Sequence, residues 1–123
     1  MNVVDSSAWL EFFADGPHAA VFAIPLGEVD SLIVPTITIY EVFKVVCRQR
    51  GEDAALQAAA LMQQGRTIEL TSSLAMVAAR TSLELALPMA DSIILTTARL
   101  HDATLWTLDE HFRDLPGVRY FQK

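Results

Sequence analysis

Short apolar runs alternate along this chain with longer stretches of helical periodicity. Residues 2–4 form an apolar run that stops at Asp5 and predict a buried strand; Trp9, Leu10 and Phe13 then recur at helical spacing. Asp15-Gly16-Pro17 punctuates the pattern, and a second short helix is expected over 18–26. Leu32-Ile33-Val34-Pro35 predicts a second strand, with proline at the exit where no central ladder bond is lost. Residues 36–50 predict a helix closed by Gly51, and 53–64 an alanine-rich helix followed by Gly65. A short strand over 67–70, a helix over 73–86, a break at Pro88 and a helix over 90–100 follow. The pattern ends with a strand over 103–108, at most one turn over 110–113, and a last strand over 118–121.

Strands separated by helices call for a parallel sheet covered on both faces, because parallel neighbours need crossover connections. The expectation is one α/β domain spanning residues 1–123, with a central, mainly parallel sheet of four to five strands. One helix does not fit a simple amphipathic pattern. Ile37, Ile39, Tyr40, Val42, Phe43, Val45, Val46 and Cys47 cover far more than one stripe of 36–50, which points to a subunit or partner interface.

Composition narrows the class. The 123 residues are 52% hydrophobic and 20% charged, enough apolar content for a real core and too much for a disordered chain. No uninterrupted apolar stretch is long enough to span a bilayer, and the start lacks the basic-then-apolar pattern of a secretory signal. One cysteine, Cys47, allows no internal disulfide, and a cytoplasmic location is the expectation. The formal net charge of −6 argues against broad electrostatic attraction to nucleic acid. That argument depends on where the acids sit.

In a parallel α/β sheet, ligands bind outside the carboxyl ends of the strands, where the strand order reverses. Asp5 leaves the first strand and Asp109 the strand over 103–108. Glu41 lies in the early turns of the helix after the second strand, and Asp91 opens the helix that feeds the fourth. Taken singly, each has a local explanation: Asp5, Asp91 and Asp109 precede helical segments as N-caps, and Glu41 stands three residues after Thr38 at capping-box spacing. Taken together, four carboxylates on one rim repel one another and raise each other's pKa, and a divalent cation neutralises such a cluster. Oxygen donors without a Cys/His set favour Mg²⁺ or Mn²⁺ over zinc.

The segments Val3-Val4-Asp5-Ser6-Ser7, Glu41, Leu87-Pro88-Met89-Ala90-Asp91-Ser92 and Thr107-Leu108-Asp109-Glu110-His111-Phe112, in this order and spacing, resemble the PIN domain. Within it they resemble the VapC-type ribonuclease toxins of bacterial toxin–antitoxin pairs. The pair Pro-x-Ala-Asp and Thr-x-Asp-x-x-Phe is the specific part, and the likeness runs from Val3 to Phe121. It implies a PIN-like three-layer α/β/α fold and a metal-dependent endoribonuclease with Asp5, Glu41, Asp91 and Asp109 as the catalytic and metal-binding set. Ser6 and Thr107 would be neutral helpers orienting a carboxylate or water. It also implies a homodimer, an RNA substrate and inhibition by a small cognate antitoxin that places a basic side chain in the acidic site. The chemistry is consistent, because divalent ions held by carboxylates activate water and stabilise the departing oxygen of a phosphodiester.

Other residues have plainer expectations. Lys44 and Arg48, three and seven residues after Glu41, either hold phosphates beside the acids or pair with Glu41 at the surface. Arg80, Arg99 and Arg113 are expected on solvated surface, and His18, His101 and His111 share no metal-ligand spacing. His111 is at most a weak candidate for substrate contact. Trp9 and Trp106 are expected in the core, Cys47 as a buried thiol, and residues 54–62 as a helical face for a partner or for internal packing. A receiver domain would need paired acids at the first strand and a late lysine; a haloacid-dehalogenase site would need Asp where Ser7 stands; an adhesion-type metal site would need serine at Trp9. The remaining alternative is a catalytically degenerate PIN-like module that only binds a partner. Setting the four acids aside leaves a net charge of −2, so the acidic balance no longer argues against an RNA substrate.

Overall fold

The fold is taken from a computed structural model that describes residues 1–123. Five strands form one sheet: β1 (Asn2–Val4), β2 (Leu32–Pro35), β3 (Arg66–Ile68), β4 (Thr104–Thr107) and β5 (Val118–Tyr120). Six helices connect them: α1 (Ser6–Phe13), α2 (Ala19–Gly27), α3 (Thr36–Arg50), α4 (Glu52–Met62), α5 (Ser72–Leu85) and α6 (Met89–Leu100). Single 3₁₀ turns occupy Val29–Ser31 and Glu110–Phe112. The sheet order is β3-β2-β1-β4-β5 and every pairing is parallel. The chain builds outward from β1 to β2 and β3, then returns to the other side of β1 for β4 and β5. The strand order therefore reverses between β1 and β4.

Alternation along the strands splits the core into two layers. Val4, Leu32, Val34 and Trp106 face one way and pack with Trp9, Phe22, Val42, Ala58 and Met62 from α1–α4. Val3, Ile33 and Leu105 face the other way, against Ile94, Leu95, Ala98 and Phe112. The result is the three-layer α/β/α arrangement expected from the pattern. Both tryptophans are buried, and the Trp106 indole N–H donates to Asn2 Oδ1 at 2.9 Å.

Boundaries moved by one or two residues. The third strand lies at 66–68 rather than 67–70, and the fifth helix starts at Ser72 because Thr71 caps it, its hydroxyl accepting from the Leu74 N–H. The helix over 36–50 buries only one stripe, Thr38, Val42 and Val46. Its surplus apolar residues Ile39, Tyr40, Phe43 and Cys47 line a shallow outward groove with Lys44 and Arg48. Cys47 is thus half-buried on this outer face, not enclosed in the core. No helix is long and apolar enough to cross a membrane.

Candidate active site

β1 and β4 end side by side at the point of reversal, and their exits carry Asp5 and Asp109. Asp5 has the extended backbone of an N-cap for α1 but its side chain makes no capping bond. Instead Oδ2 accepts hydrogen bonds from the Ser7 hydroxyl at 2.7 Å and the Thr107 hydroxyl at 2.9 Å, which leaves Oδ1 as the oxygen open to a ligand. Asp5 is only 3% exposed. Burial, reinforced by the nearby charges of Asp91 and Asp109, outweighs the two hydroxyls and pushes its pKa up to about 6.

The other three acids arrive from helices and a turn. Pro88 takes the N-cap position of α6, so Asp91 is the third residue inside the helix and has no capping role. Burial first, then the charge of Asp109, raises its pKa; Glu41 adds to the repulsion and His111 partly offsets it. Glu41 is likewise no capping-box member: the Thr38 hydroxyl donates to the Pro35 carbonyl, while Glu41 Oε1 accepts from the Ser6 hydroxyl at 2.6 Å. Asp109 does cap, accepting the His111 N–H at 2.9 Å on Oδ1. The carboxyl pKa shifts show that the four acids share one electrostatic field.

Two members of the site go beyond the four acids: His111, expected at most as a weak candidate for substrate contact, and Ser7. His111 Nδ1 is 2.7 Å from Asp91 Oδ2 and 3.1 Å from Asp109 Oδ1, and the hydrogen bond to Asp91, with the charge of Asp109, raises the imidazole pKa. One ligand atom from each of Asp91, Asp109 and His111 lies within 4.8 Å of the others. These three groups are close enough to share a cation. Ser7 is the second. Beyond donating to Asp5, its Oγ accepts the Leu108 N–H at 3.1 Å, and Thr107 Oγ1 accepts the Asp109 N–H at 2.9 Å. These bonds lock the start of α1 to the exit of β4. Lys44 and Arg48 do not pair with Glu41. Lys44 lies 5.8 Å over the Tyr40 ring, and both bases are exposed.

Two grooves lead away from the acids and meet at Ser7, Leu108 and Lys123. The larger, about 730 Å³, runs between α1, α3 and α4 over Leu10, Phe13, Val46, Ala58 and Leu61. The smaller, about 480 Å³, is polar and follows the 3₁₀ turn and β5.

With this geometry in hand, comparison with known proteins is informative. The family model of the PIN domain matches residues 3–118. The fold superimposes on a toxin–antitoxin complex from Klebsiella pneumoniae with a TM-score of 0.80 at 24% identity, over 100% of both chains. Mycobacterium tuberculosis VapC20, described as a sarcin-ricin loop cleaving toxin, gives 0.74 at 17% identity over 89% of this chain and 90% of that one. VapBC2 from Rickettsia felis, bound to a DNA fragment from its promoter, gives 0.74 at 13% over 98% and 97%. No curated protein sequence matches.

Proposed function

Because this chain belongs to the PIN domain family, we propose that it is a VapC-type toxin: a divalent-metal-dependent endoribonuclease, acting in the cytoplasm as a single domain over residues 1–123. The observation that carries this reading is the gathering of Asp5, Glu41, Asp91 and Asp109 at the β1/β4 reversal, with the Asp5 pKa pushed up to about 6.

The donor set fits Mg²⁺ or Mn²⁺. Carboxylate oxygens dominate, burial and mutual repulsion raise the pKa of Asp5 and Asp91, and His111 bridges Asp91 and Asp109 at 2.7 and 3.1 Å. Asp91, Asp109 and Asp5 would hold the ion, with Glu41 as the fourth carboxylate of the set. When bound, the ion makes water nucleophilic near neutral pH and neutralises charge on the departing oxygen. The chain's own residues do the positioning. Ser7 and Thr107 fix Asp5 through one oxygen and aim the other outward. Ser6 fixes Glu41. The cap at Asp109 fixes that carboxylate against the 3₁₀ turn, and the contact from His111 Nδ1 to Asp91 Oδ2 at 2.7 Å holds the Asp91 side chain.

The structural neighbours, among them a toxin–antitoxin complex and VapBC2, support the partners as well. The apolar groove between α1, α3 and α4 suits a segment of a small antitoxin, whose basic side chain would reach the acids past Ser7 and Leu108. The outward apolar face of α3 suits a second copy of the chain. Expressed alone the chain should arrest growth, and co-expression with its antitoxin should relieve the arrest.

One observation favours the alternative of a catalytically degenerate module: the imidazole of His111 already fills the space between Asp91 and Asp109. Incubating the purified chain with structured RNA in Mg²⁺ or Mn²⁺, with and without EDTA, separates the two. Metal-dependent cleavage that disappears in Asp91→Asn is expected. Absence of cleavage by the unaltered chain, or full cleavage by Asp91→Asn, would overturn the enzymatic reading.

A further inference from the structure

The polar groove that leaves the acids does not end with them. Its far wall, Tyr120 and Gln122, is also the near wall of a second polar depression of about 450 Å³ containing Arg113. The two form one track from Ser7 and His111 along the outer edge of β5. Near its far end the Arg113 guanidinium lies 5.9 Å from the centroid of the Tyr120 ring. Arg113 is well exposed, and its only acidic neighbour, Asp114, is 93% exposed at 4.0 Å. So loose a pair is worth little, which leaves the guanidinium free for another anion. Tyr120 lies in register with Thr107, the residue that holds Asp5. At the site end the groove is lined by Asp109, Glu110, His111 and Lys123.

We propose that this track holds the single-stranded RNA that flanks the scissile phosphate, with one base stacked against the Arg113–Tyr120 pair and a phosphate within reach of the Arg113 guanidinium. The inference rests on the ribonuclease reading above and adds the path of the substrate to it. A phosphodiester placed at the acids must continue as a chain on at least one side. Of the two grooves that open there, one is lined mostly by hydrophobic residues, with Arg50 and Lys123 among the rest; the other is mostly polar, with Asp109, Glu110 and Lys123 near the site, and continues to Tyr120 and Arg113, beside Asp114. Aromatic rings and guanidinium planes are what unpaired bases stack on, and arginine matches phosphate geometry. In a chain of net charge −6, such local contacts must supply the affinity that overall charge does not.

The test uses the full chain carrying Asp5→Asn, in EDTA, so that binding is read without cleavage. A fluorescent single-stranded oligoribonucleotide should bind about tenfold more weakly to Tyr120→Leu and to Arg113→Ala, and with parental affinity to Tyr120→Phe. Arg113→Ala should also lower the slope of log affinity against log salt by about 0.7, the loss of one phosphate contact on a single strand. Arg99→Ala, an equal charge change in the last turn of α6, should alter neither quantity. Parental binding by both Tyr120→Leu and Arg113→Ala, or an equal loss in Arg99→Ala, would overturn the proposal. So would an oligo-aspartate of matched charge that binds as tightly as RNA whether or not Tyr120 is present, since it would assign the track to an acidic peptide. A parallel cleavage assay on the unaltered chain keeps the two readings apart. Track-dependent binding without cleavage removes the ribonuclease and keeps the track. Cleavage with track-independent binding removes the track alone.

Discussion

With a pKa pushed from 3.8 to about 6, Asp5 is protonated in the folded chain and ionised in the unfolded one over most of that interval. The unfolded state then binds fewer protons, so stability falls as pH rises through it. A shift of about two units corresponds to about 3 kcal/mol lost by neutral pH when no cation is bound. Asp91, also raised, contributes with the same sign. His111, raised by Asp91 and Asp109, gives stability that is full below its ordinary pKa and lost as pH climbs through the raised one. All three groups therefore destabilise the metal-free protein as pH rises. Asp5→Asn should melt higher than the unaltered chain at pH 7 in EDTA, with the difference largely gone at pH 4, while losing metal-dependent cleavage. Thermal melts at the two pH values check this, and a lower melting temperature for Asp5→Asn at pH 7 would contradict it.

Elements impose their own constraint where α4 turns into β3. A Cβ built on Gly65 would stand 2.9 Å from Val34 Cγ2 and 3.1 Å from Leu32 Cδ2, both in the buried strand β2. Gly65→Ala should cost about 1–3 kcal/mol by overpacking, read as a lowered denaturant midpoint at unchanged slope. The same level explains what could be read from the sequence and what could not. Period-two and helical patterns located all five strands and six helices, and Pro88 marked the start of α6 because a proline tolerates the first position of a helix and not its interior. Asp5 and Asp109 were legible as strand exits. Their local explanation as caps was sound only for Asp109, since capping is decided by where a side-chain oxygen points, and Asp5 points at a strand 102 residues away. His111 was undervalued for a related reason. Its ring meets Asp91 only because the 3₁₀ turn after β4 folds over the start of α6, a contact between elements that spacing along the chain does not encode. Ser7 carried no role of its own within the Asp5-Ser6-Ser7 segment, yet its hydroxyl accepts from the Leu108 N–H just past β4 and donates to Asp5.

At the scale of the molecule, the net charge of −6 is unevenly distributed, and four of the acids face one another across a single rim. A ligand that binds only this assembled rim stabilises the fold by mass action, by about 3 kcal/mol at a hundredfold excess over its Kd. Millimolar Mn²⁺ or Mg²⁺ should therefore raise the melting temperature of the EDTA-treated chain by about 10 °C, and Asp91→Asn should lose most of that gain. A melt insensitive to either ion would remove the metal site from the account.

Asp5 is synthesised 102 residues before Thr107, which holds it. Until residues 104–109 are made, β1 lacks its neighbour on one side and the rim consists of Asp5, Glu41 and Asp91 without their partners from β4. A nascent chain thus carries an incomplete rim until β4 is made. If the rim cuts RNA, the order in which the chain is synthesised protects the message and the ribosome that make it, and the interval before activity begins is time in which an inhibitor already present can bind.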